Sequence, residues 1–180
     1  MSDVSNSCRA TLTRIDRAGM ITLRGDLNNS ALNAAVKDAV GASVPEPNAC
    51  EISSGQGVAW MSPDELLILT PYDTATEVTG KIREALDGHH HLAEVVSDAR
   101  AYFRLEGADA REVLGKLTPA DLSSNAFGPG SFRRSRLGQV AAAFWMEADG
   151  TIGIICFRST GDYLRDLLEA SINGGRVGFY

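Results

Sequence analysis

Several residue types and motifs on which enzymes and ligand-binding proteins depend are scarce or missing. The three cysteines, Cys8, Cys50 and Cys156, lie far apart and form no C-x-x-C motif, so we predict buried, inert thiols rather than disulfides or a zinc site. The sequence has no P-loop, no G-x-G-x-x-G segment between a strand and a helix, no G-x-S-x-G elbow and no cysteine beside a histidine. Nucleotide binding and hydrolysis are therefore unsupported, and we expect no catalytic residue in this chain.

Basic residues are also in short supply. Seventeen lysines and arginines stand against 23 aspartates and glutamates, and the resulting net charge of −6 is unfavourable for binding nucleic acid. One stretch, FRRSR at 132–136, is basic. A strand that contacts an acidic protein surface explains it as well as a nucleic-acid site does. We therefore expect no nucleic-acid partner.

Long apolar runs are absent. No stretch of about 18 apolar residues occurs, and the first residues, MSDVSNSCRATLTR, contain no apolar core of signal-peptide length. We therefore expect a cytoplasmic protein that has no contact with a membrane.

An internal repeat organises the 180 residues, of which 44% are hydrophobic. Four pairs of residues lie 82 positions apart: Asp16 and Asp98, Leu23 and Leu105, Gly25 and Gly107, and Leu32 and Leu114. Further along, an offset of 85 pairs Leu67 with Ile152, Leu69 with Ile154 and Ile82 with Leu167. We predict an α+β fold of two β2-α-β3-α repeats, about 10–87 and about 92–173, related by a pseudo-twofold axis and packed as one compact domain, 1–180.

Local patterns refine this prediction. The alternating segments 11–26 and 93–109 each predict a β-hairpin that leads into a helix. Each repeat closes with an amphipathic helix. Thr74 and Glu77 have capping-box spacing in the first repeat, and Ser159 or Thr160 can cap the helix of the second.

The adjacent carboxylates Asp64 and Glu65 raise the question of a catalytic pair. They follow Ser62 and Pro63, a combination suited to a tight turn because proline fixes its dihedral angle and serine or aspartate closes local hydrogen bonds. The equivalent turn at 147–150 is also acidic but spaces its carboxylates differently. We therefore predict a turn rather than an acid–base pair.

Three consecutive histidines, His89, His90 and His91, look like a metal site at first sight. Adjacent side chains diverge on a helix or strand, so the three cannot easily converge on one ion. We predict a loop at this position and no metal site in the chain.

The segment 117–138 is a long loop with two prolines and several glycines. Long ordered loops often carry binding residues, and an exposed Phe127 would suit that role. In the alternative, Phe127 and Leu122 pack into the core. Both interpretations stay open, with packing slightly favoured.

Three stretches resemble the gamma subunit of heterotetrameric sarcosine oxidase. They read WMSPDELLIL, VVSDARAYFRLEGADAREVLGKLTPADLSSNAFGPGSFRRSRLGQV and CFRSTGDYLRDLLEA. Their motifs are W-x-x-P-D-E, G-A-D-A-R-x-V-L, D-L-x-x-x-x-F-x-P-G and a late F-R-S, and the resemblance runs from about Gly19 to about Ala170. That family is similar to the folate-binding domain of the glycine-cleavage aminomethyltransferase, whose fold duplicates the same order of elements.

The resemblance implies an accessory subunit of a complex that oxidatively demethylates sarcosine to glycine, forms hydrogen peroxide and transfers the one-carbon unit to tetrahydrofolate. It implies alpha, beta and delta subunits as partners, and places FAD, FMN, NAD and tetrahydrofolate on the larger alpha and beta subunits rather than on this chain. The alternative is a stand-alone folate-binding or one-carbon-transfer protein of the same fold. However, the K-x-G-C-[FY] signature of related iron–sulfur-assembly folate proteins is missing, and Ser135 stands near its cysteine position.

Arginines and aromatic residues dominate interface energies, so they are candidates for partner contact. The full set of candidates is Asp121, Phe127, Arg133, Arg134, Arg136, Phe179 and Tyr180. Segments 1–9 and 174–180 are predicted to be flexible or docking tails. In the absence of the partner, the exposed binding surface is expected to promote self-association.

Overall fold

The computed structural model describes residues 8–180 and shows the predicted order of elements twice. The first unit comprises β1 (Thr11–Ile15), β2 (Ala18–Gly25), α1 (Ser30–Val40), β3 (Cys50–Ser53), β4 (Gln56–Ser62), β5 (Glu65–Pro71) and α2 (Ala75–Ala85). The second comprises β6 (His91–Val95), β7 (Arg100–Glu106), α3 (Ala110–Gly115), β8 (Phe132–Leu137), β9 (Val140–Met146), β10 (Ile152–Phe157) and α4 (Gly161–Asn173). The predicted α+β duplication is confirmed. Residues 1–7, most of the predicted N-terminal tail, lie outside the described residues.

Each of the two antiparallel sheets takes one strand from the other repeat. Sheet A has the order β1-β7-β10-β9-β8, and sheet B has the order β6-β2-β5-β4-β3. Strand β1 therefore lies beside β7, with Leu12 opposite Leu105, and β6 lies beside β2, with Ala93 opposite Leu23. Exchanging β1–β5 with β6–β10 converts one sheet order into the other, as a pseudo-twofold relation requires.

The predicted hairpins at 11–26 and 93–109 are wrong. Two residues, Asp16 and Arg17, separate β1 from β2, and a two-residue hairpin turn requires positive φ in at least one of them. Among residues 8–180, positive φ outside glycine occurs at Asn48 and Ser54. Neither the β1–β2 connection nor the β6–β7 connection, residues 96–99, contains a glycine or either of these residues. The chain instead crosses at these two points from one sheet to the other.

The sheets pack face to face, and a pair of helices covers each outer face. Helices α3 and α4 pack on sheet A, and α1 and α2 pack on sheet B. Between the sheets, Trp145 stacks on Phe132 with ring centroids 6.4 Å apart and lies 5.4 Å from Tyr102. Gly153 leaves the space for Trp145, because an added Cβ would overlap the indole ring. None of the helices described within residues 8–180 is long and apolar enough to span a membrane.

The later part of the two repeats is offset by 86 positions rather than the predicted 85. Thr74 and Thr160 are equivalent because each donates its hydroxyl to the carbonyl oxygen three residues earlier, at 3.0 and 2.9 Å. Ile82 therefore corresponds to the fully buried Leu168 and not to Leu167. Neither threonine accepts a hydrogen bond from its helix, so the predicted side-chain caps are also wrong.

Candidate subunit-binding surface

The loop between α3 and β8 is packed against the core. Phe127 has no exposed surface and meets Phe144 edge to face, with ring centroids 5.6 Å apart. The guanidinium carbons of Arg111 and Arg133 lie 5.9 and 6.0 Å from the centre of the Phe127 ring. Leu122 is fully buried as well. The packed alternative is confirmed. The prediction that Phe127 contacts a partner is wrong, because its side chain does not reach the surface.

The same two arginines supply hydrogen bonds to the loop backbone. Arg111 Nη1 donates to the carbonyl oxygens of Leu122 and Phe127, and Arg133 Nη2 donates to that of Ala126. Carbonyl groups outside helices and sheets need such partners, since a buried unpaired group costs about 1–3 kcal/mol. Arg133, a predicted partner contact, is therefore engaged within its own chain.

Asp121, another predicted contact, closes a local turn at the start of this loop. Its Oδ1 accepts the Ser123 backbone N–H at 2.8 Å, and this hydrogen bond lowers the pKa of Asp121 from its ordinary value. The residue is otherwise exposed. It therefore presents a negative charge at the surface while it shapes the loop.

The C-terminal tail docks on its own chain through one buried carboxylate. Glu112 Oε1 accepts hydrogen bonds from the backbone N–H groups of Val177 and Gly178, both at 2.7 Å. Its Oε2 accepts those of Phe179 and Tyr180 at 2.9 and 3.0 Å. Burial raises the pKa of Glu112, but the four N–H donors outweigh burial and leave this pKa below its ordinary value. The segment predicted to be flexible or to dock on a neighbour is thus held against α3.

The last tail residue makes further contacts. The Tyr180 hydroxyl accepts the Leu122 backbone N–H at 3.2 Å. Gly115 leaves room for the Tyr180 ring, because an added Cβ would overlap it. Phe179 and Tyr180 nevertheless remain 58% and 41% exposed. The docked tail therefore presents apolar surface beside the loop that carries Asp121.

The G-A-D-A-R motif joins the first described residues to α3. Asp109 Oδ2 accepts the Arg9 backbone N–H at 2.7 Å, and this bond lowers the pKa of Asp109. Asp109 Oδ1 also lies 3.6 Å from Arg176 Nε in the tail. Gly107 has φ 114° and approaches the Arg9 carbonyl so closely that a side chain would overlap it. These motif residues therefore have structural roles.

A shallow groove of about 340 Å³ opens beside the basic strand β8. The lining of this β8 groove includes Glu65, Arg100, Arg134, Ala141, Ala143, Ile155 and Phe157. Arg134 Nη1 donates to the Met61 carbonyl at 3.1 Å and lies 4.0 Å from Glu65 Oε2. Arg136 follows two residues later and is exposed. Two of the predicted contacts, Arg134 and Arg136, thus lie together on one surface.

The Ser62–Glu65 segment forms the predicted turn. Pro63 and Asp64 connect β4 to β5, with Ser62 opposite Glu65. The Ser62 hydroxyl donates to Asp64 Oδ1 at 2.6 Å, and this bond, helped by Arg24, holds the pKa of Asp64 below its ordinary value. Glu65 is buried and lines the β8 groove. Both carboxylates lie 3.5 Å from Arg24 Nη2, which pairs with them as a structural contact.

The histidines and cysteines form no site in the described structure. His91 begins β6, and its Nδ1 lies 2.9 Å from the His89 carbonyl oxygen. No group of three His, Cys, Asp or Glu side chains suited to hold a metal occurs among residues 8–180. Burial, followed by the Glu147 carboxylate, raises the pKa of Cys50 to about 12, so this thiol stays protonated near neutral pH.

An open cavity of about 760 Å³ lies beside α1. Trp60, Pro47 and Pro63 contribute apolar surface, and Lys37 and Glu46 contribute opposite charges. The sequence did not indicate this cavity, because its lining comes from separate segments with no shared motif. It also did not indicate Arg111 and Glu112, although the glycines of NGGRVGFY are a usable signal for a tail that approaches another part of the chain closely.

Comparison with known proteins agrees with the fold. A model of the sarcosine oxidase gamma subunit family matches residues 24–173. Sarcosine oxidase subunit gamma of Arthrobacter sp is 29% identical over 151 residues, which are 83% of this chain and 73% of that protein. The corresponding protein of Corynebacterium sp. strain P-1 is 31% identical over 118 residues, which are 64% of this chain and 57% of that protein.

Solved structures support the same relationship. In heterotetrameric sarcosine oxidase from Corynebacterium sp. U-96, one chain matches with a TM-score of 0.82 and 25% identity, covering 91% of this chain and 83% of that chain. Aminomethyltransferase T of Bartonella henselae matches with a TM-score of 0.65 and 14% identity over 91% of this chain and 46% of its own, which shows a shared fold. This chain belongs to the sarcosine oxidase gamma subunit family.

Proposed function

We propose that this chain is an accessory subunit of a sarcosine oxidase complex, which demethylates sarcosine oxidatively to glycine. Its partners are the larger alpha and beta subunits and the delta subunit. FAD, FMN, NAD and tetrahydrofolate bind to the larger subunits and carry the chemistry. This chain contributes a folded surface to the assembly.

One observation carries the proposal. The fold matches a chain of a heterotetrameric sarcosine oxidase over 91% of its length with a TM-score of 0.82. A match of this extent covers both repeats, so the resemblance concerns the whole scaffold rather than one motif.

The roles of the polar motif residues give further support. Asp64 and Asp121 each accept a hydrogen bond that shapes a turn, and Asp109 accepts one that fastens the segment at Arg9. Arg111 and Glu112 hold a loop and a tail. Side chains held by these hydrogen bonds stabilise a binding surface and are not positioned to exchange a proton with a substrate.

Affinity purification tests the proposal. A tagged copy of the chain, expressed in its native cell, is expected to recover larger chains that carry the visible absorbance of bound flavin. Recovery of the tagged chain without any flavin-containing partner would contradict the proposal. Tetrahydrofolate titrated into the isolated chain is the accompanying control, because saturable heat in that experiment would favour the folate-binding alternative.

A further inference from the structure

We propose that the β8 groove binds an acidic segment of a larger partner subunit, which lies across the inner face of sheet A. This inference rests on the proposed function and specifies where the partner docks. Three features carry it: the position of the groove in the fold, its charge and an exposed aromatic ring.

The groove begins where the core between the sheets ends. On the inner face of sheet A, Ala143 and Ile155 are buried, whereas Ala141 and Phe157 are exposed. The alanines make a floor without bulky side chains, and strands β8 and β10 flank it. An incoming main chain can therefore approach the sheet surface closely.

The charge of the groove is opposite to that of the protein. Glu65 supplies the negative charge among the lining residues, and it already lies 3.5 Å from Arg24 and 4.0 Å from Arg134. Arg100 and Arg136 have no ion-pair partner within residues 8–180. On a chain with a net charge of −6, unneutralised guanidinium groups on one surface favour an acidic ligand.

The far wall of the groove offers an apolar contact. Phe157 is 54% exposed, and the guanidinium carbon of Arg100 lies 4.6 Å from its ring centre. A carboxylate that pairs with the arginine and an apolar neighbour that covers the ring are both accommodated. The bound segment is therefore expected to combine acidic and apolar residues.

Charge reversal tests the proposal in the full chain. Arg136 is exposed and its side chain forms no hydrogen bond or ion pair within residues 8–180, so Arg136→Glu should leave folding unaffected, and affinity for the flavin-bearing partner should fall about tenfold at low salt. Lys37→Glu is the matched control, since Lys37 is exposed and has no ion-pair partner in the described structure. Equal affinity of wild type and Arg136→Glu would overturn the groove assignment while the proposed function stands. A wild-type chain that recovers no partner would instead contradict the proposed function itself.

Photo-crosslinking identifies the occupant. Phe157→p-benzoylphenylalanine is expected to capture an acidic peptide of a larger subunit, whereas the same substitution at Leu92, which is exposed on β6 of the other sheet, should not capture that peptide. Capture of a second copy of this chain, or an intact complex without any crosslink from position 157, would overturn the proposal.

Discussion

Replacing Glu112 by glutamine is expected to lower the free energy of unfolding by about 2 kcal/mol and to release the C-terminal tail. The carboxylate accepts four backbone N–H groups of the tail, and the amide nitrogen of glutamine cannot accept any. About half of these charge-assisted bonds are therefore lost. The net effect is smaller than their sum because the released tail regains hydrogen bonds to water.

The same carboxylate makes tail docking dependent on pH. The pKa of Glu112 is lower in the folded protein than its ordinary value of 4.5, so protonation favours the unfolded state. Its stabilising contribution is complete above that ordinary value and is lost as the pH falls through the lower folded pKa. The difference in stability between wild type and Glu112→Gln should therefore shrink below about pH 4.5.

Urea denaturation and limited proteolysis of the tail measure both effects. Glu84→Gln is the matched control, because it removes the same charge from an exposed position on α2 that has no ion-pair partner in the described chain. Equal stability of the Glu112 and Glu84 variants, with a tail that resists protease in both, would show that the tail is not held by Glu112.

Phe127→Ala is expected to lower the free energy of unfolding by about 4 kcal/mol. The ring is fully buried between Phe144 and the guanidinium groups of Arg111 and Arg133, so its removal leaves a cavity and frees both arginines from their ring contact. The loop between α3 and β8 should then become accessible to protease before the rest of the domain.

The control for this prediction lies in the same loop. Asn125→Ala changes an exposed residue two positions earlier and should alter stability by less than about 0.5 kcal/mol. A loss of less than about 1 kcal/mol in Phe127→Ala would contradict the packed position of the ring and return Phe127 to the set of surface contacts.

The order of elements was predictable because apolar periodicity is a local property. Strand partners were not, since the pattern that makes 11–26 two strands does not state which sheet each strand joins. The exchange depends on the connection at Asp16 and Arg17, which contains no glycine or asparagine to supply the positive φ that a two-residue hairpin turn requires. The offset of 85 is wrong because β5 and β10 are buried on both faces, so neither strand alternates apolar and polar residues in a way that marks its register.

The candidate surface was predictable only in part. Arg134 and Arg136 follow from the basic composition of β8, and both lie on its surface. Phe127 was open to misassignment because prolines and glycines are typical of exposed loops, while its burial depends on Arg111, which is distant in sequence. The docking of the C-terminal tail could not be predicted from a local pattern either, because the side chain that holds it, Glu112, lies on α3.

The most direct test of an accessory role compares amine oxidation by three preparations. They are this chain alone, the flavin-bearing chains alone, and the two purified together. We predict that sarcosine-dependent hydrogen peroxide formation follows the flavin content of the preparation and is zero for this chain alone at any concentration. Sustained peroxide formation by the isolated chain would contradict the view that it provides a binding surface and leaves the chemistry to its partners.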